Sequence, residues 1–181
     1  MDFMELIEKC IDFLEKNELA RVLEQWARIF IETFDLQIPM PIIRIVEIDE
    51  NTLGQVRFFF LFYEIIINSR HIGRPFWRIC GTFFHEVLHI FQREHGTPGK
   101  CNAHNAEFRA IAAGYGLVIN ERGYTRYTEG TFTRLLRKAG AEIPELRGED
   151  SQLHLGVGAN HEFCEKKWLK STERGQFTMG S

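Results

Sequence analysis

The segment FFHEVLHIF, residues 83 to 91, places two histidines and a glutamate inside a run of apolar residues. His85 and His89 are four residues apart, and Glu86 directly follows the first of them. Burying three such groups without partners would cost on the order of several kcal/mol. Any fold of this chain must therefore give these polar side chains binding partners or a functional role.

The residues around this segment predict a helix from Arg74 to His95. Apolar side chains recur at helical spacing, Pro75 suits the first turn, and Gly96 suits the end. The remaining polar residues form one stripe along this helix: Arg78, Thr82, His85, His89 and Gln92. Gly81 adjoins the stripe, where it would leave room for a substrate backbone or would serve close packing. We interpret the stripe as the face of a functional site.

The spacing of the two histidines is that of a metal site. A four-residue step sets the rings of His85 and His89 about 6 Å apart, so that both can bind one ion at about 2.0 to 2.1 Å. Zinc is the natural occupant. Glu86 points about 100° round the helix, where it can hydrogen-bond a water on the metal as a general base. The alternative is a pair of core histidines bonded to carbonyls, and an HExxH match arises by chance in such a chain with a probability of roughly 3%.

A catalytic zinc site needs a third protein ligand, and two histidines compete for this role. His95 has the spacing of the metzincin motif HExxHxxGxxH, but Gln92 replaces the glycine that would turn the chain back. A straight helix would carry His95 about 240° away from His89. His104 follows the GTPGK loop near the start of the next helix, which can fold back over the pair. We predict His104 as the third ligand. Glu107, three residues further on, is expected to hydrogen-bond the imidazole of His104, and the alternatives are a role as a metal ligand or as a surface residue.

The rest of the chain predicts an α+β fold. Two N-terminal helices separated near Asn17 precede a strand in IIRIVEI, and QVRFFFLFYEIIIN is long enough for two more strands without an evident turn residue. Asn102 is a candidate N-cap for a helix from Ala103 to about Tyr115, and GTFTRLLRKAG predicts a last helix ending at Gly140. We expect a short, mainly antiparallel sheet of about three strands.

Composition limits the class of protein. The 181 residues suit a single domain over residues 1–147, followed by a polar tail over 148–181 that we expect to be loosely ordered. A formal charge of -3 excludes wholesale coating of nucleic acid. The four scattered cysteines, the acidic N-terminal segment MDFMELIEKC and the lack of a membrane-spanning apolar run predict a soluble, cytoplasmic protein without a membrane partner. The sequence does not define an oligomeric state.

The stretch HEVLHIFQREHG followed by HNAEFRAIAAGYGL resembles the SprT-like zinc metalloprotease family. In that family HExxH is followed one loop later by a histidine that opens a helix. The likeness spans at least residues 41–120, because LGQV and IIINSRHI also look like the strands before the active-site helix. The resemblance implies a small zincin-like domain with an edge strand in Phe58 to Asn68 that pairs with extended substrate. It also implies the site residues: zinc ligands His85, His89 and His104, and catalytic base Glu86.

The implied activity is zinc-dependent hydrolysis of peptide bonds in a protein or peptide substrate. Family members often act on DNA-associated proteins through a C-terminal zinc ribbon, whereas only Cys164 stands in FCEKKWLKSTERG. The basic residues there can touch phosphate or form a solvated helix face. A non-catalytic zinc-binding regulator and a DNA-associated adaptor stay open as alternatives, although Glu86 argues against the first and the charge against the second. Spacing does not select an oxyanion donor among Tyr115, Tyr124, Tyr127, Arg109 and His71.

Overall fold

The computed structural model describes residues 3–144. The tail predicted over residues 148–181, with its basic residues, falls outside the described part. Within the described part the elements follow one another in this order: α1 (Phe3–Thr33), β1 (Ile42–Val46), β2 (Gly54–Phe58), β3 (Tyr63–Asn68), α2 (Phe76–His95), α3 (Ala106–Gly114), β4 (Leu117–Ile119), β5 (Thr125–Tyr127) and α4 (Thr131–Lys138). The α+β class is therefore confirmed. None of the described helices combines the length and the apolar run needed to cross a bilayer.

The N-terminal segment forms one helix, α1, whereas we predicted two helices separated near Asn17. The Asn17 side chain donates a hydrogen bond to the main-chain oxygen of Phe13, one turn earlier, at 2.9 Å. That bond lets asparagine remain inside a helix instead of ending it. Further along, α1 buries Trp26 and Phe30 against the rest of the core, with the Phe30 ring centroid 4.5 Å from that of Phe84 on α2.

The main sheet has three strands in the order β1-β3-β2. β3 pairs antiparallel with β2 and parallel with β1, so the prediction of three strands is confirmed, but the sheet is mixed rather than mainly antiparallel. The prediction that the segment from Phe58 to Asn68 supplies an edge strand is also wrong. β3 lies in the centre, where its main-chain groups already pair on both sides, and the edge strand beside α2 is β2.

The turn that the sequence did not reveal is Phe59 to Phe62. The main-chain N–H of Phe59 donates to the oxygen of Phe62 at 3.0 Å, and the two rings stack with centroids 4.5 Å apart. Ring stacking across the turn thus accompanies a hairpin that has none of the usual turn residues. A second antiparallel pair, β4 with β5, was not predicted.

The central helix α2 agrees with the prediction except at its first residues. Pro75 has φ -51° and ψ 135° and is the N-cap, so the helix begins at Phe76. The following helix begins later than predicted, because Asn102 has a φ of 58° and lies in a short turn. Asn105 is the N-cap of α3, and its side chain accepts a hydrogen bond from the N–H of Phe108 at 2.9 Å.

Candidate metal centre and catalytic base

Three histidines from two segments converge at the centre of the domain. Nε2 of His85 lies 3.2 Å from Nε2 of His89 and 2.9 Å from Nε2 of His104. All three residues are buried, and their ligand atoms lie within 4.8 Å of one another. The structure therefore brings together the three residues that were predicted as ligands, and this cluster can hold a metal ion.

The spacing of the three nitrogens fits a tetrahedral ion. Metal–nitrogen bonds of about 2.0 to 2.1 Å at tetrahedral angles place neighbouring nitrogens about 3.3 to 3.4 Å apart. The two observed separations, 2.9 and 3.2 Å, are close to this value. Two imidazole nitrogens at such distances either share a proton in an N–H···N hydrogen bond or bind a cation between their lone pairs, and here the three nitrogens converge on each other rather than on carbonyls. Three imidazoles suit zinc and also other first-row transition metals.

The strand β5 fixes the ring of His85. Nδ1 of His85 lies 3.2 Å from the hydroxyl oxygen of Thr125, and that hydroxyl is 3.5 Å from the carbonyl oxygen of Gly123. When Nδ1–H donates to Thr125, Nε2 keeps its lone pair free for a metal. Our reading of the sequence missed Thr125. The alternation of buried Thr125 and Tyr127 after a glycine was the signal for this strand.

Burial keeps the histidines in the form that binds metal. Desolvation holds the pKa of His85 and His89 well below the usual range, and the neighbouring histidines lower both further. The ring of Phe108 stacks on that of His89, with centroids 4.0 Å apart. Because a neutral imidazole keeps one nitrogen lone pair free, a metal ion can bind it without displacing a proton.

Glu86 lies outside the histidine cluster, although it follows His85 directly. It is 3% exposed, and burial raises its pKa to about 8. The main-chain N–H of Val56 on β2 hydrogen-bonds the carboxylate and offsets part of this rise. A carboxylate whose pKa is near neutrality can both accept and return a proton, as a general base must.

The loop between α2 and α3 is held by Gln92, which stays helical. Its side-chain nitrogen donates to Asn105 Oδ1 at 2.9 Å and to Glu107 Oε2 at 2.7 Å. The N–H of Thr97 donates to the same Glu107 oxygen at 2.7 Å. These bonds connect the end of α2 to the start of α3, and they position His104 over the other two histidines.

Two alternatives for the third ligand are placed elsewhere. Nε2 of His95 is hydrogen-bonded to the main-chain oxygen of Gln37 at 2.9 Å, on another side of the helix from the cluster. Glu107 was expected to bond the imidazole of His104 or to serve as a ligand. Its hydrogen bonds go instead to Gln92 and Thr97, so it fastens the loop. It is not part of the metal-binding group.

The space beside Gly81 is filled by Tyr127, so the glycine serves packing and leaves no room there for substrate. A Cβ at residue 81 would lie 1.9 Å from the Tyr127 hydroxyl oxygen. That hydroxyl is buried and has no hydrogen-bond partner among the described residues. The ring of Tyr115 packs against Phe34 and Phe84, with centroids 5.0 and 5.4 Å away.

Comparisons of the chain with protein-family models, with curated proteins and with solved structures found no match. The likeness to the SprT-like family is carried by the quoted motifs alone.

Proposed function

We propose that the protein is a zinc-dependent metallopeptidase of the SprT-like, zincin type that cleaves protein or peptide substrates internally. The observation that carries the proposal is a cluster of three buried histidines together with the buried carboxylate of Glu86, which directly follows His85 in the chain. A purely structural zinc site closes all four positions with protein ligands and has no use for a base. Three histidines leave the fourth position open.

The histidines and Glu86 divide the chemistry between them. A zinc ion held by His85, His89 and His104 would supply Lewis acidity, lowering the pKa of water and polarising the carbonyl of the bond to be cleaved. Ionised Glu86 takes a proton from the attacking water and then delivers it to the leaving amine. Thr125 keeps the His85 ring oriented during both steps by its bond to Nδ1.

The edge strand β2 is suited to bind an extended substrate beside this base. In an antiparallel pair, hydrogen-bonded and non-bonded positions alternate. Leu53 and Phe59 bond across to β3 through main-chain groups, at 2.9 and 3.0 Å, so the intervening residues 54, 56 and 58 direct their main-chain groups away from it. Val56 is one of these, and its N–H meets Glu86. A peptide strand added to β2 would therefore pass the base.

The competing functions lack this kind of support. A non-catalytic zinc-binding regulator would retain the three histidines but not need a buried carboxylate. Action on DNA-associated proteins, or a role as a DNA-associated adaptor, follows only from the family resemblance. The basic residues that would contact phosphate lie outside the described residues.

The test is the substitution Glu86→Gln in zinc-loaded protein, with unfolded protein substrates and product analysis by mass spectrometry. The amide keeps the shape of the side chain but cannot act as a base, so we expect cleavage to fall by about 10²- to 10⁴-fold. Zinc content should stay unchanged. Glu94→Gln, on the same helix but exposed, is the matched control and should retain activity. Undiminished cleavage by the Glu86→Gln variant would refute the mechanism, and a zinc-loaded wild type that cleaves no substrate would favour the regulator.

A further inference from the structure

The hairpin between β2 and β3 ends in an exposed apolar loop, Phe59 to Phe62. Phe60 is 100% exposed and Leu61 is 84% exposed, while Phe59 and Phe62 are 46% and 41% exposed. The stacked rings of Phe59 and Phe62 close the turn and leave the two residues at its tip in solvent. Four consecutive exposed apolar residues are unusual in a folded domain and mark a contact surface.

The position of this loop relative to the catalytic base follows from contacts along α2. A Cβ at Gly54 would lie 2.9 Å from Thr82, the N–H of Val56 bonds Glu86, and Arg93 lies over the Phe58 ring at 5.4 Å. β2 and α2 therefore run in the same direction. Phe60, the first residue at the tip of the loop, follows Val56 by four residues, about 13 Å along the edge that carries the base.

We propose that this loop binds the part of the substrate that precedes the cleaved bond, and that it selects extended segments with bulky apolar side chains. The inference rests on the proposed peptidase function and names the substrate class. A peptide added antiparallel to β2 runs from the loop towards Gly54. Its residues about three to five positions before the cleaved bond then lie against Phe60 and Leu61. Folded proteins bury such segments, so unfolded chains would be preferred.

The charges around the loop favour a peptide over a lipid surface. Arg57 pairs with Glu64 at 3.4 Å, Arg93 lies over Phe58, and Glu94 accepts a hydrogen bond from Tyr63. The charged side chains on β2, β3 and the end of α2 are thus two positive arginines and two negative glutamates. Binding to anionic headgroups needs an excess of positive charge, which these elements do not offer.

The test uses two labelled peptides that are identical around the cleaved bond. One carries Leu-Phe four and five positions before that bond, and the other carries Ser-Ser. Binding to zinc-loaded Glu86→Gln protein is followed by fluorescence anisotropy, and cleavage is measured with the Glu86 form. The loop variant is Phe60→Ser/Leu61→Ser. Its matched control is Phe13→Ser/Leu14→Ser, an adjacent Phe-Leu pair on α1 with both residues 65% exposed.

We expect the loop variant to bind the Leu-Phe peptide about tenfold more weakly, since two apolar contacts are lost. Binding of the Ser-Ser peptide and binding by the control variant should be unchanged. Equal binding of both peptides by the wild-type loop, or an unaffected loop variant, would overturn the inference. Loop-dependent binding to phosphatidylcholine and phosphatidylserine vesicles without peptide selectivity would overturn it in favour of a lipid surface. Loop-dependent peptide binding without any cleavage by the Glu86 form would uphold the docking surface and reject the peptidase function.

Discussion

For the substitution Gly81→Ala, helix propensity predicts a gain in the stability of the fold, whereas packing predicts a loss. Gly81 lies inside α2, where alanine is intrinsically better than glycine by about 1 kcal/mol. The new Cβ, however, would lie 1.9 Å from the hydroxyl oxygen of Tyr127, 2.6 Å from Cζ and 2.8 Å from Cε1. The outcome depends on whether Tyr127 can move away.

Tyr127 is held from two sides, so the clash should dominate. Its ring meets Trp77 edge-on at 5.2 Å and stacks on Phe132 at 5.9 Å, and the residue is 1% exposed. Overpacking of this kind costs about 1 to 3 kcal/mol, and the tight contact favours the upper end. After subtraction of the propensity gain, we expect a net loss of about 1 to 2 kcal/mol, or a fall in Tm of roughly 3 to 8 °C. Displacement of β5 should also move Thr125 from His85 and weaken zinc binding.

The assay is urea and thermal unfolding of the zinc-loaded protein, with zinc affinity measured in parallel. Gly114→Ala is the matched control, because Gly114 is also helical but a Cβ there meets nothing within 4 Å. That variant should be as stable as the wild type or slightly more stable. In Gly81→Ala, the added change Tyr127→Phe removes the shortest contact and should recover part of the loss. A Gly81→Ala protein that matches the wild type in stability and zinc affinity would refute the packing argument.

Two further predictions concern groups near the site. Thr125→Val should raise the zinc dissociation constant by about 10- to 100-fold with little change in fold, because it removes the partner of His85 Nδ1. The control Thr128→Val, in the same part of the chain, should leave the zinc dissociation constant unchanged. Equal zinc affinities of the Thr125→Val variant and the wild type would contradict the assigned role of Thr125. Burial raises the pKa of the fully buried Cys80 thiol, so at pH 8 a thiol reagent should label the half-buried Cys101 in native protein and Cys80 only after unfolding. Peptide mapping checks this, and equal labelling rates would contradict it.

The central helix and its histidines were predictable because the relevant signals are local. Spacing of four residues fixes the relation between His85 and His89 in any helix. Gln92 has a Cβ and therefore disfavours the left-handed conformation that would end the helix there. The preference for His104 over His95 followed from this local conformational restriction. The structure brings His85, His89 and His104 together and adds the bonds from Gln92 that hold the loop in place.

Other features depend on contacts that no local pattern encodes. The parallel pairing of β1 with β3 joins segments about 20 residues apart through the sheet, and it made β3 the central strand. Asn17 is a residue type that predicts the end of a helix, yet the hydrogen bond from its side chain to the main-chain oxygen of Phe13 keeps it helical. Asn102 and Asn105 are both good N-caps by type, and only the left-handed turn at residues 101 and 102 decides between them.

We propose that His85, His89 and His104 hold the metal on which catalysis depends. A competitive chelator titration with zinc, on the wild type and on His104→Ala and His95→Ala, distinguishes the third ligand. Losing one of three ligands should weaken binding by about 10² to 10⁴-fold in His104→Ala. His95→Ala removes only a bond to the Gln37 carbonyl and should leave zinc affinity nearly unchanged. Unaltered affinity in His104→Ala, or a large loss in His95→Ala alone, would contradict the assignment of the site.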